Sequence, residues 1–220
     1  MMAKTATQTK VQPPKATQAQ IAHAELKRMM LDGSLPFGSQ LLESEAAEKL
    51  NISRTPVREA MRRLVAEGAL SLSASGRVAT PALSNERIEE LASLRALLEP
   101  ELAVRALPRA HIALIERLET INAAIAEQIA KHDAPGYIRT NLEFHRTLYL
   151  RAHAPAMLAM AETVWLQLGP TMRALYGRLR RSEPPQHHRL ILNALKAGDE
   201  PGLRLAVRTD VTQGLRLLAS

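Results

Sequence analysis

The sequence predicts a mainly α-helical protein with a small mixed N-terminal module and a larger all-helical C-terminal module. Aromatic residues make up only 3% of the 220 residues, while hydrophobic residues make up 46%. This composition favours helices packed through aliphatic side chains over a β-sandwich. Apolar residues also recur at helical spacing, and Gly and Pro residues divide the chain into segments. One alternating stretch, residues 69–81, indicates a β-hairpin with a Ser-Gly tip.

Composition also excludes several classes of protein. The chain has no cysteine, so it has no disulfide, thiolate zinc site or thiol nucleophile. We find no signal-peptide pattern and no apolar run of about 18 residues, and therefore expect a cytoplasmic protein without membrane contact. The net charge of +7 permits binding to a polyanion but does not establish it. Residues 1–83 hold 11 Lys+Arg and 7 Asp+Glu (+4), and residues 84–220 hold 18 and 15 (+3).

The first elements follow from local signals. Residues 1–16 are mainly Thr, Gln, Lys and Pro, which predicts a disordered tail. A helix is predicted from Thr17 to the breakers in "DGSLPFG". A second helix is predicted at roughly 44–50, with Ser44 as its N-cap.

The third helix is predicted in "NISRTPVREAMRRL", residues 51–64, and has two distinct faces. Its apolar face consists of Val57, Met61 and Leu64. Its basic face consists of Arg54, Arg58 and Arg62. Aligned like charges destabilise an isolated helix, so this pattern is better tolerated when an anion binds there. The pattern alone fits a solvated basic face equally well.

Three helices followed by a hairpin is the order of a winged helix-turn-helix, which we assign to residues 17–81. Residues 84–220 are predicted to form an antiparallel helical bundle. Its six predicted helical segments are about 85–107, 109–132, 134–152, 155–181, 185–197 and 199–218. Breakers such as "HDAPG" and "SEPP" separate these segments, and Pro100 and Pro170 predict kinks within two of them.

Residues 20–80 resemble the DNA-binding domain of the GntR family of bacterial transcription regulators. The family hallmark is Ser-Arg-Thr-Pro-Val-Arg-Glu-Ala, which occurs here at residues 53–60. Leu-x-Glu precedes it at residues 41–43, and Glu-Gly follows at residues 67–68. The resemblance implies a double-stranded DNA operator as partner.

The resemblance also assigns roles to single residues. It implies that Arg54 and Arg58 reach bases or phosphates in the major groove, while Ser53 and Thr55 contact phosphates. We include Arg62 among the DNA-binding residues, with the alternative that Arg62 or Arg63 only flanks the DNA. At the wing tip, the residues expected near the minor groove are Ser75, Gly76 and Arg77.

Polar residues on apolar helix faces mark candidate sites in the second module. Asn141 and His145 lie at i and i+4 in "NLEFHRTLY", so they share a face. His187 or His188 leads an apolar helix, and Asp210 is bracketed by aliphatic residues. Taken singly, each is more typical of a structural role than of a ligand.

Residues 84–220 resemble the FCD domain, the helical effector domain of the FadR branch of GntR regulators. The matching segments are "LASLRALLEPELA", "NLEFHRTLY" and "HHRLILNALKAGD". Many such domains hold a divalent metal with one Asp and three His, beside a small carboxylate effector. Position by position, the resemblance implies the ligand set Asn141, His145, His188 and Asp210.

Three positions depart from the family pattern. Asn141 stands where Asp is usual, Asp210 where the third His is usual, and Ala154 where Asn is common before Pro. The remaining donors still suit zinc, nickel or manganese. They also suit a metal-free pocket that binds an organic acid by hydrogen bonds, with Asn141, His145 and His188 as effector-binding residues.

Three further residues have alternative interpretations. Arg95 could bind an effector carboxylate in a bidentate manner, or form a surface ion pair with Glu99 at i+4. Trp165 and Gln167 could line the same effector-binding pocket. The alternative for Trp165 is packing in the hydrophobic core.

We therefore predict a homodimeric, ligand-responsive transcription regulator, with repression as the favoured mode. It would bind a palindromic operator and respond to a small organic acid beside a divalent metal. One alternative is a metal-dependent enzyme using His145, His188 and Asp210, although we find no nucleophile motif or phosphate-binding Gly loop. Another is a nonspecific architectural DNA-binding protein.

Overall fold

The computed structural model describes residues 16–179 and 187–219, and these residues form the two predicted modules. The N-terminal elements are α1 (Gln18–Leu31), β1 (Gln40–Leu41), α2 (Glu43–Leu50), α3 (Arg54–Ala66), β2 (Ser71–Leu72) and β3 (Val78–Ala79). The C-terminal helices are α4 (Asn85–Ala106), α5 (Ile112–Ala130), α6 (Ala134–Tyr149), α7 (Pro155–Leu179), α8 (His187–Ala197) and α9 (Glu200–Ala219). The predicted fold class is confirmed. Residues 1–15 of the predicted tail and the "SEPP" break lie outside the described residues.

The helix starts agree with the sequence signals in one case and differ in another. The predicted start of the first helix at Thr17 agrees with α1, which begins at Gln18 and is capped by Thr17 through a capping box with Gln20. The prediction of Ser44 as N-cap of α2 is wrong, because α2 begins at Glu43 and Leu42 occupies the cap position. Asn51 then adopts a left-handed conformation (φ 53°), which ends α2 and turns the chain into α3.

The hairpin belongs to a three-stranded sheet with the order β1-β3-β2. β3 pairs antiparallel with both neighbours, so Ala79 faces Gln40 on one side and Ser71 on the other. β1 was not predicted from the sequence. It is only two residues long, and its partner lies far along the chain. The sheet therefore ties the wing to the segment that leads into α2.

The helical module is built around α4, which packs against α9 and α7, while α5 packs on α6 and α8 on α9. Its core is largely aliphatic, and its aromatic members are Tyr137, Phe144, Tyr149, Trp165 and Tyr176. Pro100 and Pro170 lie within α4 and α7, and both helices continue beyond their prolines. None of the helices in the described ranges is long and apolar enough to cross a membrane.

The two modules meet where α1 packs against α7. Leu166 of α7 belongs to the hydrophobic core of the N-terminal module and is 1% exposed. The neighbouring Gln167 donates from Nε2 to the Glu67 carbonyl oxygen (3.2 Å) and accepts from Arg87 Nη2 (2.7 Å). Two residues further on, a Cβ atom at Gly169 would lie 2.4 Å from the Met30 carbonyl oxygen. The helices approach so closely that only glycine fits at position 169 without a shift.

Candidate functional site

Helix α3 presents the two faces that its spacing predicted. Val57, Met61 and Leu64 are buried against α1 and α2. On the other face, the exposed arginines are Arg54, Arg58 and Arg62. Ser53 occupies the N-cap position, yet its side chain forms no capping hydrogen bond. Its hydroxyl and the exposed Thr55 hydroxyl therefore lie at the amino end of a helix, where backbone N–H groups favour a phosphate.

Arg58 forms an ion pair that the sequence analysis did not anticipate. Its Nε lies 2.8 Å and 3.0 Å from the two carboxylate oxygens of Glu43, and its Nη2 lies 2.8 Å from Glu43 Oε2. The guanidinium group lowers the pKa of the Glu43 carboxyl, chiefly through these hydrogen bonds. Glu43 belongs to α2, so the first turn of α2 orients an arginine of α3. A Leu-x-Glu segment ahead of the helix is the only signal that could have revealed this contact.

The wing carries the other predicted DNA-binding residues. Gly76 adopts a positive φ of 79° at the hairpin tip, a conformation that suits glycine. Nothing lies within 4 Å of a Cβ atom built there, and Arg77 beside it is exposed. Residues of α3 and the wing, among them Arg58, Leu72 and Gly76, line a cleft. The tip is thus open to a partner on the same side of the molecule as this cleft.

In the helical module, the structure brings together three of the four predicted ligand residues from three different helices. His145 Nε2 lies 3.0 Å from Asp210 Oδ2, and His188 Nε2 lies 3.4 Å from His145 Nε2. His188 Nε2 is 3.9 Å from Asp210 Oδ1. One ligand atom from each residue lies within 4.8 Å of the other two. Asn141 lies one turn before His145 on α6 and is half-buried.

A chain of buried hydrogen bonds determines where the protons of this cluster lie. The Glu99 carboxylate accepts from Trp165 Nε1 (2.9 Å) and from the Tyr149 hydroxyl (3.0 Å). Because the Tyr149 hydroxyl donates its hydrogen to Glu99, the Tyr149 oxygen accepts a hydrogen bond from His145 Nδ1 at 3.1 Å. In a neutral His145 this arrangement places the proton on Nδ1 and leaves the Nε2 lone pair for a cation; without a cation, Nε2 needs a proton to hydrogen-bond Asp210 Oδ2 at 3.0 Å.

The same reasoning applies to His188. Its Nδ1 lies 3.2 Å from Asn122 Oδ1, an amide oxygen that can only accept. His188 therefore carries its proton on Nδ1, and its Nε2 also presents a lone pair. Such partners behind a histidine are typical of metal ligands, because they fix the tautomer and the ring orientation.

The donor set therefore fits a cation. Two nitrogen lone pairs and a carboxylate face one another at short distance, and they repel unless a proton or a metal ion lies among them. Burial lowers the pKa of His188 to about 4, so this imidazole is neutral at neutral pH. Burial alone would raise the pKa of Asp210, but the neighbouring His188, His145 and Arg95 lower it. The neutral imidazole of His188 and the ionised carboxylate of Asp210 are ligand forms that zinc, nickel and manganese need.

Arg95 lies in the same buried network. It is 7% exposed, and its Nε and Nη2 donate to the two Glu99 oxygens at 2.5 Å and 3.2 Å. The ion-pair partner predicted from the i+4 spacing is confirmed, but the surface location is wrong, because both side chains are buried. Burial opposes both charges, yet each holds the other ionised: the pKa of Glu99 is lowered and that of Arg95 is raised.

Trp165 and Gln167 do not share one environment. Trp165 is 5% exposed and joins the Glu99 network, whereas Gln167 faces the junction with the N-terminal module. The sequence analysis missed Asn122 and Tyr149. Tyr149 lies at i+4 from His145 and could have been found by that spacing, whereas nothing in the sequence links Asn122 on α5 to His188 on α8.

Comparisons with known proteins agree on both modules. Residues 18–78 match the family described as "Bacterial regulatory proteins, gntR family", and residues 90–213 match the "FCD domain". The chain is 29% identical over 197 residues to the HTH-type transcriptional regulator McbR of Escherichia coli (strain K12), covering 88% of this chain and 89% of that protein. A solved structure of E. coli McbR/YncC superimposes with a TM-score of 0.84 at 27% identity, covering 93% and 98% of the two chains. The gluconate operon transcriptional repressor of Bacillus subtilis (strain 168) is 28% identical, with coverage of 80% and 74%.

Proposed function

We propose that this chain, which belongs to the GntR family of bacterial regulators and carries the FCD domain, represses transcription until a small organic acid binds its helical module. The FCD match alone spans residues 90–213, more than half of the chain. The chain is accordingly a DNA-binding transcription regulator and not an enzyme. This excludes the alternative of a metal-dependent enzyme at His145, His188 and Asp210.

We infer that the protein reads a palindromic operator as a homodimer, with α3 in the major groove. The observation that carries this proposal is the exposed arginine face of α3, which lines one cleft together with the open wing tip. One winged helix reads few base pairs, and a two-fold dimer places two such helices on successive half-sites. The relatives' names support repression: one is called a gluconate operon repressor. Site-specific recognition also distinguishes the proposal from a nonspecific architectural protein.

The first prediction concerns Arg58. Arginine forks to guanine O6 and N7, and one such pair contributes roughly 1–3 kcal/mol of discrimination per site. We expect Arg58→Ala to lose specific operator binding, with the helical module still folded. A gel-shift titration against operator DNA selected from a random library measures this.

The matched control is Arg105→Ala. Arg105 is likewise exposed and paired with a glutamate, at 2.8 Å from Glu101, but lies on α4. We expect this variant to bind the operator as the wild type does. If Arg58→Ala binds with unchanged affinity, the assignment of α3 as the reading helix is wrong.

We further propose that a divalent cation, zinc, nickel or manganese, is held by His145, His188 and Asp210, with Asn141 as a fourth donor. The support is that the Nε2 atoms of two imidazoles lie close to one carboxylate. Asn122 and Tyr149 bind the Nδ1 atoms of these rings, so the Nε2 atoms can face a cation. When bound, the cation would supply a positive centre for an effector carboxylate.

The second prediction tests the metal. Elemental analysis of tag-free protein should find about one equivalent per chain, and His188→Gln should lose it, because one of the few ligands is removed. Asn122→Ala tests the outer contact separately: it should weaken metal affinity by roughly 10–100-fold, because the His188 ring loses its orientation. A wild-type content below about a tenth of an equivalent would contradict the metal and favour the metal-free pocket.

Buried polar atoms near the cluster support an effector site beside it. The Tyr176 hydroxyl and His187 Nδ1 are buried, and neither has a hydrogen-bond partner among the described residues. Burial is the main cause that raises the pKa of Tyr137, and the charge on Asp210 and the neighbouring Tyr176 raise it further. These three side chains therefore lie in one region. A small acid bound there would satisfy groups that otherwise lose hydrogen bonds.

We propose that α7 transmits the state of this site to the DNA-reading module. Three consecutive residues carry the connection. Trp165 donates to Glu99 in the buried network, Leu166 packs in the N-terminal core, and Gln167 bonds the segment that follows α3. A small shift of α7 on effector binding would therefore move the reading helix relative to its partner copy, and half-site spacing tolerates little such movement.

A further inference from the structure

A cavity lies between the two modules, and its lining includes none of His145, His188 and Asp210. Its volume is about 500 Å³, within the range of sites that bind small molecules. Helix α1 of the N-terminal module forms one side, and α6 and α7 of the helical module form the other. Neither module makes this cavity alone, so a molecule bound in it would contact both.

The wall of the cavity is mainly apolar. Leu31 contributes from α1, Leu142 from α6, Leu150 from the turn just after α6, and Trp165 from α7. Leu150 is 46% exposed, so its apolar surface is open to a ligand. A compound with an apolar tail would bury that surface.

Three carboxylates also line the cavity, but each already has a cationic partner. The pairs are Asp32 with Arg28 at 2.6 Å, Glu162 with Arg146 at 2.9 Å, and Glu143 with Arg117 at 2.5 Å. Their charges are therefore compensated and leave little attraction for a cationic ligand.

Two further cations line the cavity without such compensation. Lys27, half-buried on α1, and Arg139, exposed on α6, form no ion pair within the ranges that the structure describes. An apolar wall beside two uncompensated cations has the complementarity that selects an amphipathic anion.

We propose that this cavity binds a small amphipathic carboxylate, with its tail against Leu142 and Trp165 and its head group paired with Lys27 and Arg139. Because the two cations come from different modules, the bound molecule would bridge them and stabilise the packing of α1 on α7. This site is separate from the effector site proposed at the histidine cluster, and its occupancy would restrain the reading head directly.

The test uses octanoate as probe and the full-length protein. Trp165 is the single tryptophan of the chain and lines the cavity, so its fluorescence reports binding. We expect a saturable change with octanoate and a markedly weaker one with 1-octanol, which lacks the charge. Lys27→Gln and Arg139→Gln should each weaken octanoate binding roughly tenfold, the usual effect of losing a charged hydrogen bond.

Two substitutions of the same kind serve as controls. Lys131→Gln and Arg208→Gln remove exposed cations that do not line the cavity, and both should bind octanoate as the wild type does. Equal affinity for octanoate and 1-octanol, or unchanged binding in both cavity variants, would overturn the proposal. Loss of binding in His188→Gln, with binding retained in Lys27→Gln, would place the probe at the histidine cluster and overturn it too.

Discussion

At the scale of single residues, Glu99 connects the helical module's polar groups. Its carboxylate accepts from Arg95, Trp165 and Tyr149, and it is 0% exposed. A buried carboxylate is tolerated only with such complete compensation. Through Tyr149 it also fixes the tautomer of His145. One glutamate thus supports both the packing of three helices, α4, α6 and α7, and the arrangement of the candidate ligands.

The third prediction follows from this position. Glu99→Gln keeps the shape but leaves the buried Arg95 charge uncompensated, so we expect a loss of roughly 3–5 kcal/mol in the free energy of unfolding. Urea denaturation followed by circular dichroism measures it. The control is Glu127→Gln. Lys131 Nζ lies 3.3 Å from Glu127 Oε2, and the side chains of Lys131 and Glu127 are 71% and 69% exposed. There we expect a change within about 0.5 kcal/mol.

The sign of the pH dependence is also determined. The folded-state pKa of Glu99 lies below its ordinary value of 4.5, in spite of its burial, because Arg95 holds it ionised. Its stabilising contribution is therefore present above that value and is lost as the pH falls below it. The stability gap between wild type and Glu99→Gln should narrow in acid; a constant gap would contradict this account.

At the scale of elements, the close contact of α1 and α7 depends on Gly169. A methyl group there would meet the Met30 carbonyl oxygen, a backbone atom that cannot rotate away. We predict that Gly169→Ala destabilises the protein by roughly 1–3 kcal/mol, the usual cost of overpacking. Thermal unfolding measures the change.

Gly177, in the same helix, provides the control. Nothing lies within 4 Å of a Cβ atom at that position. Gly177→Ala should therefore be neutral or stabilising by up to about 1 kcal/mol, because alanine favours the helix. If the two substitutions had the same effect, the packing of α1 on α7 would not depend on Gly169.

The elements were largely predictable from the sequence, and the contacts between them were not. Breakers and helical spacing predicted most helix ends to within a few residues, because those signals are local. Pairing of β1 with β3, and of Asn122 with His188, joins segments far apart in the chain and leaves no local pattern. His145, His188 and Asp210 were brought together only by family resemblance, which the geometry of the three side chains now supports.

At the scale of the whole molecule, the proposed regulation requires coupling between the effector site and the DNA-reading module. Coupling is reciprocal: an acid that lowers operator affinity by some factor must itself bind more weakly, by that factor, when the operator is present. The fifth prediction is that a thermal-shift screen of small organic acids finds a ligand that stabilises the protein. That ligand should release the operator, typically by about 5–150-fold.

The measurement is a pair of titrations, ligand into protein with and without operator, on the proposed dimer of the 24.2 kDa chain. Equal ligand affinity in both titrations would exclude thermodynamic coupling between the sites. Gln167→Ala should reduce the coupling factor and leave ligand affinity unchanged in the absence of DNA, because the hydrogen bonds that the structure describes for Gln167 both lie at the junction.

The place of Leu166 also bears on how such proteins can be recombined. The N-terminal core is completed by a leucine that belongs, by sequence, to the other module. A reading head grafted onto a foreign helical domain at residues 81–84 would leave that leucine behind and open a hole in its own core. A chimera that keeps the DNA-reading module intact must therefore also carry the turn of α7 around Leu166 and Gly169. Otherwise the corresponding helix of the foreign domain must have a leucine and a glycine at those two positions.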